Sequence, residues 1–137
     1  MLTDIQAYER FIYSLPETFP SIRRSTLVVI RLGPTVAELK GEIEFDRGIV
    51  LGVWEDLNFA RRVIQAYSYW AEQEGERLYW YDSQPHPRDP SLASTFPHHK
   101  HVPPDIKRHR IPAPGLSFDQ PNLPLLIQEI ERNLLLR

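Results

Sequence analysis

VAELKGEIEFDRGIVLGVWE, residues 36–55, is the stretch on which the fold turns. Ala37, Leu39, Ile43 and Phe45 alternate with Glu38, Lys40, Glu42 and Glu44. An apolar side chain at every second position builds a strand with one buried and one wet face, as in an antiparallel sheet covered on one side. Asp46-Arg47-Gly48 then forms a tight turn, and Ile49 to Glu55 returns as the next strand.

Upstream, Ser25-Thr26-Leu27-Val28-Val29-Ile30 is a β-branched run, too short for a helix and suited to a strand. Before it, Thr3-x-x-Gln6 has the form of a capping box, in which each side chain satisfies a free backbone donor of the other residue. Ile5, Tyr8, Ile12 and Leu15 follow at helical spacing until Pro16, which predicts a helix over residues 4–15. Downstream, Phe59, Val63, Ala66 and Trp70 would suit a helix, whereas Tyr67-Ser68-Tyr69-Trp70 is strongly β-prone. A second such run, Leu78 to Tyr81, follows Glu74-Gly75, so residues 61–72 and 77–83 are read as the arms of a hairpin. That places about five meander strands between residues 24 and 83.

The composition changes after Asp82. Eight of the thirteen prolines lie between Pro85 and Pro114, mixed with histidine and basic residues. An irregular segment of that length inside one domain is functional or disordered, and residues 84–115 are read as a functional loop. Asn122 is placed to cap a last helix, 122–136, with a stripe of Leu123, Ile127, Ile130 and Leu134. The expectation is a single α+β domain, 1–137, whose antiparallel sheet packs one face on the N-terminal and C-terminal helices.

Composition narrows the function. The 137 residues contain no cysteine, which removes disulfides, thiolate catalysis and cysteine-based zinc sites, and fits a cytoplasmic chain. No apolar run is long enough to span a membrane, and Met1-Leu2-Thr3-Asp4 does not open a signal peptide. A net charge of −2 argues against a surface that coats nucleic acid. Charge is nevertheless uneven: Lys100, Lys107, Arg108 and Arg110 face one acid, Asp105, between His98 and Arg110. Nucleotide-binding glycine loops and the G-x-S-x-G hydrolase motif are absent.

Within STFPHHKHVPP, residues 94–104, three of the five histidines stand among prolines. His98-x-x-His101 or His99-x-His101, with His86 or Asp82, offers donors that zinc or nickel accepts. The spacing matches no zinc motif, and no metal or other cofactor is expected. Metal-free cleavage of RNA needs a base, an acid and a cation against the developing phosphorane charge. His98 and His101 are the proton-transfer candidates, with His86 as third participant and Asp82 orienting an imidazole. Lys100, Lys107 and Arg108 are the phosphate contacts, and Tyr81 belongs to an aromatic group suited to stacking on bases. The competing expectation is a non-catalytic module whose basic, histidine-rich loop binds a protein or nucleic acid.

Three motifs carry a family resemblance: Tyr67-Ser68-Tyr69-Trp70, Tyr81-Asp82-Ser83-Gln84-Pro85-His86 and Thr95-Phe96-Pro97-His98-His99-Lys100-His101. In order and spacing, over roughly residues 24–103, they resemble the TumE-type toxins of prokaryotic toxin–antitoxin systems. That family usually reads Asp-Asn-x-Pro-His-His after the tyrosine strand; here Ser83 replaces the asparagine and Pro87 the second histidine. The resemblance implies a toxin neutralised by a cognate antitoxin, usually a helix-turn-helix protein. RNA as a target and a homodimeric state complete the partner expectations.

Overall fold

The alternation in residues 36–45 becomes the central feature of the sheet in the computed structural model, which describes residues 2–136. Helix α1 (Ile5–Tyr13) and a single turn, α2 (Leu15–Thr18), precede β1 (Arg24–Ser25), β2 (Val28–Arg31) and β3 (Val36–Glu44). Strands β4 (Ile49–Asn58), β5 (Val63–Gln73), β6 (Glu76–Asp82), β7 (His99–His101) and β8 (Arg110–Pro112) follow, and then helix α3 (Leu123–Ile130). All strands join one antiparallel sheet in the order β1-β3-β4-β5-β6-β7-β8, with β2 also paired to β3.

The fold class is α+β, as expected, but the sheet has eight strands rather than about five. Two places account for the difference. The run 25–30 is split because Gly41 of β3 passes directly beneath it. A Cβ on Gly41 would stand 2.6 Å from the Thr26 carbonyl oxygen, and its φ of +140° is one that only glycine adopts readily. Across this approach, Thr26 N–H donates to Glu42 O at 2.9 Å and Glu42 N–H to Thr26 Oγ1 at 3.0 Å. The other two strands, β7 and β8, lie in the proline-rich segment, where three-residue strands carry too few positions to show a period.

The N-terminal helix is shorter than the periodicity suggests, while the C-terminal helical run, Leu123 to Leu135, matches it closely. Asp4, not Thr3, caps α1 by accepting from Ala7 N–H at 2.8 Å, and Leu15-Pro16 opens α2 rather than extending α1. After α3, residues 131–135 widen into a π-helical turn.

Register decides which side chains share a face. Leu39 pairs with Glu55 and Glu55 with Tyr67, while Val53 pairs with Tyr69, Tyr69 with Tyr81 and Tyr81 with Lys100. These positions make the inner face, where Leu39, Val53, Tyr67, Tyr69 and Tyr81 are buried in one cluster with Ile5, Tyr8 and Ile12 of α1 and Leu123, Leu126, Ile127 and Ile130 of α3. The opposite row runs Gly52, Trp70, Trp80, His101 along one line and Trp54, Ser68, Asp82, His99 along the next. Gly52 is open to Trp70: a Cβ there would lie 2.0 Å from the indole Cε2. Arg77 stands over both Trp70 and Trp80, 5.6 Å from each ring centre.

Candidate functional site

The outer rows carry a cluster where β6 meets β7, one strand in from the β8 edge. Asp82 closes β6 and pairs with His99 of β7, while Trp80 pairs with His101. Residues two apart on a strand point the same way, so His99 and His101 share the outer face with Asp82. His99 Nε2 is 2.8 Å from Asp82 Oδ1, and His101 Nε2 is 3.3 Å from Asp82 Oδ2. The two Nε2 atoms are 3.1 Å apart. Burial is nearly complete: His99 is 0% exposed, His101 3% and Asp82 8%. Trp80 stacks on His101 at 4.0 Å between ring centres, forming one wall.

Each imidazole is held from behind. His99 Nδ1 is 3.1 Å from Pro97 O, and His101 Nδ1 is 2.8 Å from Ile106 O. A carbonyl can only accept, so Nδ1 carries the hydrogen in both rings and Nε2 of the neutral ring carries a lone pair.

His86 meets His99 edge to face, with ring centres 4.7 Å apart, and lines an open cleft of about 370 Å³ with Arg88, Asp89 and Arg110. Arg110 of β8 pairs with His101, and its Nε is buried with no hydrogen-bond partner among the described residues. A second cleft, of about 490 Å³, is lined by Trp54, Ser68, Asp82, Gln84 and Pro97 among others.

Electrostatics follow from this packing. Burial raises the Asp82 carboxyl, but the hydrogen bond and charge of His99, the Gln84 N–H and His101 outweigh it and hold the group below the usual range. Burial, with the charges of Arg110 and His99, lowers His86. Burial also lowers His101, and Asp82 opposes that shift.

Strand alternation separates residues that the sequence reading had grouped. His98 turns to the inner side, stacked parallel to Tyr67 with ring centres 5.6 Å apart and against Phe118 at 4.6 Å. Tyr67 OH is hydrogen-bonded to its Nδ1, and burial, then the charge of His99, lowers its pKa. No hydrogen bond or ring contact joins His98 to His101 among the described residues. Lys100 and Tyr81 also face inward: Lys100 Nζ is 3.2 Å from Glu129 Oε2 of α3, and Tyr81 OH donates to the same oxygen at 2.8 Å. Lys107 and Arg108 lie exposed in the turn between β7 and β8.

Arg110 was not among the sequence candidates, and His99 entered only as an alternative metal donor through His99-x-His101. The signal for His99 was its place two residues before His101, the spacing that puts two strand side chains on one face. Nothing local marked Arg110, because its proximity to His86 is made by the β7–β8 pairing.

Structurally the described residues form an α+β fold whose antiparallel sheet carries a carboxylate–histidine cluster between β6 and β7. The sequence profile of the family described as Toxin TumE matches residues 10–134, nearly the whole chain, and the chain belongs to that family. It is therefore the toxin component of a toxin–antitoxin system, with an antitoxin as its partner in principle. No curated protein and no solved structure matches the chain. Among the described residues, no helix is long and apolar enough to cross a membrane.

Proposed function

We propose that this toxin cleaves RNA at the cleft lined by His86, Arg88 and Arg110. The observation that carries the reading is the backing of that cleft. His86 lies between open solvent and the buried Asp82–His99–His101 cluster, and Arg110, whose buried Nε has no hydrogen-bond partner among the described residues, lines the same cleft. A phosphodiester in the cleft meets two guanidiniums, whose fixed planar donors suit phosphate oxygens. The 2′-oxygen attacks phosphorus, His86 takes the 2′ proton, and the bond to the 5′-oxygen breaks. Solvent in the open cleft protonates the departing oxygen, leaving a 2′,3′-cyclic phosphate and a 5′-hydroxyl. Trp54 and Gln84, in the neighbouring cleft, offer a stacking surface and an amide to an adjacent base. A helix-turn-helix antitoxin is the partner this reading assigns.

A pairing of His98 with His101 is less favoured, because the two rings lie on opposite faces. Induced expression in a host without the antitoxin tests the reading, scored by growth and by the ends of the RNA fragments. Wild type should arrest growth and leave cyclic-phosphate ends. His86→Ala and Arg110→Ala should each lower cleavage by about 10²-fold or more with circular dichroism and melting temperature unchanged. Growth arrest by both variants at the wild-type level would instead favour a toxin that acts by binding.

A further inference from the structure

The buried cluster behind His86 contains an imbalance that the cleavage reading does not use. Asp82 Oδ1, Asp82 Oδ2, His99 Nε2 and His101 Nε2 converge from 2.8 to 3.3 Å. Every one is an acceptor when the rings are neutral, because both Nδ1 hydrogens are committed to Pro97 O and Ile106 O. Acceptors in contact repel unless something positive lies between them, and burial removes the water that would otherwise do so. One extra proton supplies a single hydrogen to the group. A dication serves all its members at once.

The geometry suits such an ion. Ligand atoms about 2.1 Å from a tetrahedral zinc stand about 3.4 Å apart, and the observed separations are of that order, slightly tighter. The three side chains each offer one ligand atom, with all of these within 4.8 Å of one another. Carbonyl groups fixing the distal nitrogens are the usual outer support of metal-bound histidine. Two imidazoles and a carboxylate favour zinc or a similar borderline divalent ion over magnesium or calcium, which prefer all-oxygen sites. Three protein ligands is also the count found where metal sites keep a position for water.

We propose that Asp82, His99 and His101 form a binding site for one zinc-class divalent cation, clamping β7 onto the end of β6. The inference goes beyond the RNA reading, since it concerns ion binding by the free protein.

The test uses the full chain, stripped with a chelator and titrated with Zn²⁺ by calorimetry and with Co²⁺ by visible absorption. One equivalent of each should bind. Zn²⁺ should raise the melting temperature, and Co²⁺ should show the intense visible bands of a low-coordinate nitrogen–oxygen site. Asp82→Asn preserves the shape of the side chain and should weaken Zn²⁺ binding by about 100-fold or more; His101→Ala should do the same. His109→Ala, at an exposed histidine outside the cluster, should bind as wild type does. The proposal is overturned if the stripped protein takes up neither ion, if Asp82→Asn binds as tightly as wild type, or if binding is lost in His109→Ala instead. RNA cleavage is scored separately on the same preparations, so failure of one idea does not decide the other.

Discussion

At the scale of single residues, the protein depends on where one side chain must be missing and on where polar groups are shut away from water. Gly52 leaves the space in which the Trp70 indole lies. Gly52→Val would force that ring off its seat, and overpacking of this kind costs about 1–3 kcal/mol. Urea denaturation should show the loss as a lower midpoint with the slope retained. Glu55 is the other residue of this kind. It is fully buried on the inner face and accepts from Tyr8 OH and Tyr69 OH, while Asn122 Nδ2 donates to Tyr69 OH at 3.1 Å. Its hydrogen bonds tie α1, β4, β5 and the start of α3 together.

Among the elements, the break between β1 and β2 depends on Gly41. Gly41→Ala meets both a positive φ and a backbone oxygen that cannot move without unpairing β1 or β2. A loss of about 1–3 kcal/mol is expected. Hydrogen exchange should accelerate at Thr26 and Glu42 before it does so in β4 or β5. β7 depends on its surroundings in another way. Three residues make few ladder bonds, and their hold on β6 comes largely from side chains: Asp82 with His99 and His101 on one face, Glu129 with Lys100 on the other. Glu129→Gln removes the charge that Lys100 faces and leaves the outer cluster alone. It should lower stability by about 1–2 kcal/mol with little change in RNA cleavage, whereas Asp82→Asn should affect ion binding.

For the molecule as a whole, Glu55 predicts a component of the pH dependence of stability. Burial pushes its pKa up to about 7, against the opposing hydrogen bonds of Tyr69 and Tyr8. Burial and the nearby Glu55 charge raise both tyrosines, so they stay protonated as donors. The folded state thus binds the proton more tightly than the unfolded chain does. Between the unfolded value, near 4.5, and the folded value, near 7, the unfolded state loses its proton first, and stability falls as pH rises. The loss levels off above the folded value at roughly 3 kcal/mol. His86, His98 and His101 have lowered values and oppose this trend, since they weaken the fold as pH falls. The Glu55 component is therefore the difference between wild type and Glu55→Gln, which should grow through that window; denaturant titrations at several pH values would measure it.

The sequence by itself determined the class of fold, the turn at Asp46-Arg47-Gly48, the hairpin of β5 and β6, and the family. Those features repeat over many residues or are carried by local turn chemistry, so a single strand of text contains them. It also singled out the segment that contributes His99 and His101 to the carboxylate–histidine cluster. Tertiary structure alone decided the rest. Alternation sent His98 and Lys100 inward and His99 and His101 outward, and β8 brought Arg110 to the cluster from beyond an irregular turn. The buried Glu55 carries no mark in its strand pattern, where a lone carboxylate on the apolar face reads as an error of register until Tyr8 and Tyr69 are found against it. Faces and partners are properties of pairing between distant segments, and pairing is set by which residues the whole core buries together.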